Sequence, residues 1–306
     1  MSLPVSVVFC FDKTYASYAA VASFSVHKHT QHPLRIFWLV PASDVPTLDT
    51  VLSHLADVGI YPEVVPVDAA PFMHWKQSGH NRTVTYTRLL IPELISESKV
   101  VYLDCDTLVI GDVAELFAID MHGSLIGGVL DNGASSKHFK TLSPSDTYIN
   151  SGVLLMNLDG LRQDGFLLKC GVIHDQYRDT MPFMDQCIIN MYAEQRKCFL
   201  DAKWNFQVLS NQVRYADYLA KFEQSSPSII HYIGPVKPWQ GWCNPPIARL
   251  WQKWSKLAQI PNLSVVPVTQ VDQAIELASA MDMNGDFQQA SQLKTQIIRS
   301  LQSVAR

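Results

Sequence analysis

The chain opens on an apolar run, Val5 to Phe11, and then alternates between two periods. Ala16–His27 carries Tyr18, Val21, Ala22, Phe24 and Ser25 at helical spacing, and Arg35–Val40 is a second strand-like run. Val45–Val58 reads as a helix, Glu63–Val67 as a strand, Val84–Leu94 as a helix and Val100–Leu103 as a further buried strand. Strands alternating with amphipathic helices predict βαβ units, hence an α/β fold with a mostly parallel sheet covered on both faces. Ligands of such sheets sit beyond the carboxyl ends of the strands. The residues just after Phe11 and Leu103 are therefore the first candidates for a site.

The middle of the chain is less regular. Leu125–Leu130 and Val153–Met156 read as strands and Ile188–Tyr192 as part of a helix, while Pro182 and Trp204–Gln207 read as loop. Pro, Gly and Trp concentrate between Gly234 and Pro246, predicting a long aromatic loop of the kind that carries function in compact domains. From Val271 the composition changes. Ala274, Ile275, Ala278 and Met281 share one helical face, Asn284-Gly285-Asp286 interrupts it, and Phe287, Ala290, Leu293, Ile297 and Leu301 resume it. This predicts a C-terminal αα-hairpin. Its Gly285-Asp286-Phe287 turn is like that of a single helical repeat, without a second copy. The expected division is a main domain over 1–265 and a hairpin appendage over 266–306, packed on its own domain or mediating self-association.

Bulk composition narrows the function classes. Of 306 residues, 47% are hydrophobic and 17% charged, enough apolar material for a large core. A formal net charge of −4 argues against nucleic acid as the main partner, because phosphate backbones select basic proteins. The six cysteines fit no zinc spacing and lie in apolar contexts such as Val8-Phe9-Cys10-Phe11, so buried free thiols in a reducing cytoplasm are expected. Val5–Phe11 is too short for a signal peptide or a spanning helix.

The sharpest local signal is Val100-Val101-Tyr102-Leu103-Asp104-Cys105-Asp106. In extended chain, positions i and i+2 face the same side, so two carboxylates leave the end of a buried strand together. Their repulsion calls for compensation, and a divalent cation with oxygen ligands supplies it. Two other readings of the same residues stand beside it. One is a solvated turn; the other is an aspartyl-phosphate phosphatase, whose motif ordinarily lies nearer the start of its domain and carries Thr or Val where Leu108 stands. A second cluster is Ile229-Ile230-His231 followed by Gly234 and Lys237, which combines an imidazole ligand, a residue permitting close backbone approach and a point charge for phosphate. Carboxylates and imidazole together favour Mn²⁺ over Mg²⁺.

Taken in order, these segments resemble glycosyltransferase family 8, the group containing bacterial lipopolysaccharide galactosyl- and glucosyltransferases and glycogenin. The resemblance runs from about Val5 to Trp239. It rests on Phe11-Asp12 with Tyr15, Tyr86-Thr87-Arg88-Leu89, Leu103-Asp104-Cys105-Asp106, Asn150-Ser151-Gly152-Val153 leading to Asn157, Asp185-Gln186, Trp204-Asn205-Phe206, and the H-x-x-G-x-x-K-P-W run from His231 to Trp239. It implies a GT-A fold, Rossmann-like with flanking helices, and a retaining transfer of galactose or glucose from a UDP-sugar to a saccharide acceptor, lipid-linked in many relatives.

By the same resemblance Asp104, Asp106 and His231 would ligate Mn²⁺, with Mg²⁺ as the alternative, and Cys105 would lie among the donor-binding residues. Lys237 and the Gly234 backbone would contact the diphosphate, and Asp12 and Tyr15 the uracil and ribose. Arg88, Asp131, Asn150 and Asp185 would grip sugar hydroxyls, with Gln186 near the anomeric carbon on the face opposite the leaving group. Lys13 and Thr14 stand where relatives often carry Asp and Asn, so base and ribose contacts would differ. An amide is a poor nucleophile, which favours a front-face path over double displacement. A non-catalytic sugar-nucleotide binder would show a broken metal site, yet all four of Asp104, Asp106, His231 and Lys237 are present. The tail carries only Lys294, Arg299 and Arg306 as basic residues after Ser264, fewer than an interfacial helix needs, so a cytoplasmic protein with at most peripheral membrane contact is expected.

Overall fold

The computed structural model describes residues 4–76, 83–131 and 147–304. Strands β1 (Val5–Cys10), β2 (Leu34–Pro41), β3 (Glu63–Val67) and β4 (Lys99–Leu103) run parallel, in the spatial order β3-β2-β1-β4. After the short β5 (Thr107–Val109), β6 (Ile126–Leu130), β7 (Ile149–Asn157) and β8 (Lys197–Phe199) extend the main sheet to the order β3-β2-β1-β4-β7-β6-β8. The sheet is mostly parallel as expected, but β7 lies antiparallel to both β4 and β6. A second small sheet sets β10 (Ile229–His231) between β5, antiparallel, and β9 (Phe206–Gln207), parallel.

The central strands are continuous apolar runs because both of their faces are buried. Val5, Val7 and Phe9 of β1 join Ile36, Trp38 and Val40 of β2 and Val101 and Leu103 of β4 in one core layer. Val8, Phe37, Leu39, Val100 and Tyr102 point into the other. The helix Ala16–His29 covers the first layer with Ala19, Ala20, Val21, Phe24 and Val26, and Met184–Tyr192 covers the second with Cys187, Ile188 and Ile189. Each such large side chain contributes roughly 1.5–3 kcal/mol by leaving water. The buried serines of the first helix are used as well: Trp38 Nε1 donates to Ser23 Oγ (3.1 Å), and the Val109 N–H donates to Ser25 Oγ (3.1 Å). The second of these bonds pins β5 beneath the end of the main sheet.

Several local expectations are corrected. Val84–Leu94 is not one α-helix: Thr83–Leu90 is a 3₁₀ helix, followed by a single α turn at Ile91–Leu94. Pro92 lacks the N–H that would continue the upstream ladder, and Thr87 Oγ1 and Arg88 Nε bond carbonyls three residues back. Val45–Val58 likewise starts as 3₁₀ around Pro46 before the α-helix Asp49–Asp57. Trp204–Gln207 is not loop, since Phe206 and Gln207 pair with Ile230 and His231. The loop after Gly234 ends at Asn244, where Pro245 opens the helix Pro245–Ala258. All six cysteines are free thiols, four of them buried.

The C-terminal hairpin forms as expected, with helices Val271–Met283 and Phe287–Val304 packed through Ala274, Ala278, Ala290 and Ile297. Its turn is clipped to the preceding part of the chain by Asn284, whose Nδ2 donates to Asn244 Oδ1 (2.8 Å) while its Oδ1 accepts from the Tyr215 N–H (2.9 Å). Arg306 lies outside the described residues.

Candidate active site

The site grows out of the reversal between β4 and β5. The Asp104 N–H donates to the Gly152 carbonyl (2.8 Å), and the Thr107 N–H and Oγ1 both return to the Asp104 carbonyl (3.1 and 2.7 Å). Pairing of His231 with Thr107 across β10 and β5 then brings the imidazole to the two carboxylates. His231 Nε2 lies 3.8 Å from Asp104 Oδ2 and 3.2 Å from Asp106 Oδ1. One ligand atom from each of Asp104, Asp106 and His231 falls within 4.8 Å of the other two. A cluster spread over 127 residues of sequence is thus made by one tight turn and one three-residue strand.

Two carboxylates at this spacing repel by roughly 3 kcal/mol at an effective dielectric near 20. Cations compensate from two sides. Arg88 Nη2 donates to Asp104 Oδ1 (2.9 Å), an oxygen that also accepts from Tyr102 Oη (2.5 Å). Lys237 Nζ donates to Asp106 Oδ2 (2.5 Å) and to the Tyr232 carbonyl (2.8 Å). Burial of Asp106 opposes its ionisation, but the neighbouring Lys237 and His231 outweigh it and hold the carboxyl well below the usual range. Arg88 also meets Asp185 Oδ2 through Nε (3.1 Å) and the Ser151 carbonyl through Nη1 (3.0 Å), and lies over the Tyr102 ring. Asp185 is nonetheless pushed up to about 6, because its burial, with a smaller contribution from Asp104, exceeds the help from Arg88. Burial likewise drives the Cys105 thiol well up, and the thiol is not part of the Asp104, Asp106 and His231 cluster.

These groups line a cavity of about 380 Å³ at the carboxyl ends of β1 and β4. Of the residues singled out in the sequence, Asp12, Tyr15, Arg88, Asp104, Cys105, Asp106, Asn150, Asp185, Gln186, His231, Gly234 and Lys237 all border it. Asp131 is placed differently: it sits behind the lining, taking Gln186 Nε2 (3.1 Å) and Asn150 Nδ2 (3.5 Å) on its Oδ2. Gln186 is held at both ends, since its Oε1 accepts from the Ser151 N–H (3.0 Å). Asp12 Oδ1 accepts from the Thr14 N–H (2.9 Å), capping the 3₁₀ turn that carries Tyr15. The Tyr15 ring stands edge-on to Trp239, which stacks on Tyr18 at 3.8 Å. Trp239 and Trp251 are buried, supporting the cavity wall from behind rather than forming an exposed platform. Two glycines matter here. Gly234 has φ +80. At Gly152 a Cβ would fall 2.1 Å from His231 Cε1 and 2.8 Å from Asp104 Oδ2, so the imidazole rests directly on the bare backbone of β7.

The residues fit a divalent cation. Among the described residues, Asp106 Oδ1 is buried and receives no well-aligned hydrogen bond, although the imidazole is beside it. A buried carboxylate oxygen left this way ordinarily costs about 1–3 kcal/mol or more. Two carboxylates and one imidazole form a donor set suited to a divalent cation. Sequence reasoning gave no role to Tyr102, Ser151 or Asn205, which hold the lining residues in place.

A mostly parallel central sheet, with an acidic pair and an imidazole at its carboxyl edge, is the arrangement of a GT-A type fold. The galactosyltransferase LgtC, solved with donor and acceptor sugar analogs, superposes with a TM-score of 0.72 at 26% identity, covering 83% of this chain and 96% of that one. The family description "Glycosyl transferase family 8" matches residues 6–243, and the chain belongs to that family. Glycosyltransferase GlyB of Streptococcus pneumoniae serotype 4 is 31% identical over 211 residues, covering 67% of this chain and 48% of the relative. The lipopolysaccharide 1,3-galactosyltransferase of Salmonella typhimurium is 25% identical over 175 residues, 54% of this chain and 52% of the relative. The chain thus spans about half the length of these curated relatives. No helix among the described residues is long and apolar enough to cross a membrane.

Proposed function

We propose that this chain transfers galactose or glucose from a UDP-sugar to a hydroxyl of a saccharide acceptor, with retention of anomeric configuration and with Mn²⁺ as its cofactor, Mg²⁺ being the alternative. The observation that carries the proposal is the Asp104, Asp106 and His231 cluster beside Lys237, lining a cavity large enough for a sugar nucleotide's reacting end. Bound there, the cation would act as a Lewis acid on the diphosphate. Asp104, Asp106 and His231 would hold it, and Asp12 and Tyr15, which line the same cavity, would receive the nucleoside.

In the reaction the bond between the anomeric carbon and the phosphate oxygen breaks, and a bond from the acceptor oxygen to that carbon forms. Lys237 Nζ would stabilise the negative charge gathering on the leaving diphosphate. Arg88 bridges the Asp104 and Asp185 carboxyl groups beside the sugar site, and Asp185 and Asn150 would accept or donate to its hydroxyls. On the far face, the carbonyl oxygen of Gln186 already accepts from the Ser151 N–H, which weakens it further as a nucleophile. A front-face path is favoured, with the acceptor proton passing to a departing phosphate oxygen. The phosphatase reading is disfavoured because Asp104 Oδ1 is engaged by both Arg88 and Tyr102.

We assign the catalysis to 1–265 and treat 266–306 as an appendage that supports the domain or joins copies of it. A saccharide acceptor of the lipopolysaccharide kind, lipid-linked at the cytoplasmic face of a membrane, fits the named relatives. The test is UDP release from UDP-galactose and UDP-glucose with Mn²⁺, with and without oligosaccharide acceptors, and NMR of the product's anomeric proton. Acceptor-dependent release that EDTA abolishes, giving an α-linked product, supports the proposal. Acceptor-independent hydrolysis of simple phosphoesters in its place would overturn it.

A further inference from the structure

The imidazole of His231 has two nitrogens, and only one faces the carboxylates. The other, Nδ1, lies 3.0 Å from Asn205 Oδ1. Which atom of that amide faces the ring follows from a chain of contacts anchored on the backbone. The Gly152 N–H can only donate, and it meets Asn150 Oδ1 at 3.0 Å. Asn150 Nδ2 consequently turns toward the Asp131 carboxylate. Asn150 Oδ1, an acceptor, also faces the Asn205 amide at 2.9 Å, so the Asn205 atom there is Nδ2. That leaves Asn205 Oδ1 for His231, and an oxygen accepts from Nδ1 only if Nδ1 carries the proton. Nε2 is then the nitrogen that faces the space between Asp104 Oδ2 and Asp106 Oδ1, and the one that would offer its lone pair to a cation bound there.

We infer that Asn205 is the positioning residue of the metal centre: through Nδ1 it fixes the rotation and proton position of His231 that make Nε2 a ligand. The fold delivers Asn205 for this purpose. It ends the 3₁₀ turn Ala202–Trp204 and immediately precedes β9, whose Gln207 pairs with His231, and it is 2% exposed. A buried amide with both its oxygen and its nitrogen engaged, one strand away from a ligand, supplies the outer-shell contact that metal-binding histidines require. The inference rests on the metal reading proposed above.

The test compares two substitutions that differ in one respect. Asn205→Leu removes the acceptor for Nδ1–H, whereas Asn205→Asp keeps an acceptor and sacrifices the donor to Asn150. Free Mn²⁺ is counted by EPR during titration in the presence of UDP, and thermal unfolding is followed on the same samples. Asn205→Leu is expected to weaken Mn²⁺ binding by about 10- to 100-fold. Asn205→Asp, which sets two acceptor oxygens face to face, is expected to lower Tm yet retain affinity close to wild type. Affinity losses that simply track Tm in both variants, or Asn205→Leu binding Mn²⁺ as wild type does, would overturn the inference while leaving the metal reading intact. Wild-type protein that takes up no Mn²⁺ with UDP overturns both. Independently of any variant's folding, ¹⁵N-histidine NMR of the metal-free wild type, assigned with His231→Gln, should show a proton on Nδ1 of His231. A bare Nδ1 with the proton on Nε2 alone contradicts it.

Discussion

Gly152→Ala perturbs the proposed metal centre without replacing any of its ligands. The new methyl would stand 2.1 Å from His231 Cε1 and 2.8 Å from Asp104 Oδ2, where ordinary contact begins at 3.4 Å. Relieving the first clash requires the imidazole to retreat by about 1.3 Å, far outside the ~0.2 Å that metal–ligand distances tolerate. Asp104 cannot give way freely, because Arg88 and Tyr102 hold its other oxygen. Mn²⁺ affinity should therefore fall at least as far as for loss of an outer-shell partner, about 10- to 100-fold. The substitution also overpacks the sheet, at a cost of roughly 1–3 kcal/mol. Gly127→Ala is the control, since its methyl meets Leu155 Cβ at 3.3 Å, in the same sheet and away from the cavity lining. The assay is calorimetric titration of Mn²⁺ into each protein with UDP present, after circular dichroism has established folding. Gly152→Ala binding Mn²⁺ with wild-type affinity would refute the reasoning, because the ring position would then be irrelevant to the metal.

Asp185, raised to about 6 from an ordinary value near 3.8, binds a proton in the folded state that the unfolded chain has already released. Its contribution to stability is complete below about pH 4 and is lost as pH rises through 6, so Asp185→Asn should gain on wild type by up to about 3 kcal/mol between pH 4 and 7 in denaturant titrations; a constant difference across that window speaks against the shift. Gln186→Ala should retain kcat within about tenfold, a barrier change of less than about 1.4 kcal/mol, whereas a covalent nucleophile's removal would cost several orders of magnitude. Asn284→Ala leaves the Tyr215 N–H and Asn244 Oδ1 without their partner, so the 266–304 hairpin should loosen by about 1–3 kcal/mol, read as faster amide exchange confined to it and its docking surface. Unchanged exchange there would mean the hairpin is held by its apolar contacts alone.

What the sequence revealed and what it hid follow the range of the interactions involved. β1 and β4 were legible because burial on both faces makes them uninterrupted apolar runs, and the acidic pair stood out at the end of one of them. The hairpin was legible because its apolar positions keep one helical period on each side of Gly285. The helix Phe166–Tyr177 was hidden, since exposed Leu168 (77%) and Val172 (59%) blur its apolar face. Pro245 and Pro246 looked like the end of a loop and were instead the first turn of a helix. β5, β9 and β10 are two or three residues long and exist only through pairing with one another, Leu108 with Ile230 and Phe206 with Ile230, which no local period records. Asn205 stayed without a role for the same reason: its burial and its contact with His231 come from that small sheet. The motifs supplied the candidate residues, and the small sheet supplies the contact that joins the imidazole to the carboxylates.

Metal-dependent donor binding is measured by calorimetric titration of UDP into wild type and Asp106→Asn, each with Mn²⁺ and with EDTA. Binding by wild type that is lost with EDTA and lost again in Asp106→Asn is the predicted result. UDP bound equally well without metal, or by Asp106→Asn with Mn²⁺, would contradict the assignment of this cluster as the metal site of a UDP-sugar transferase.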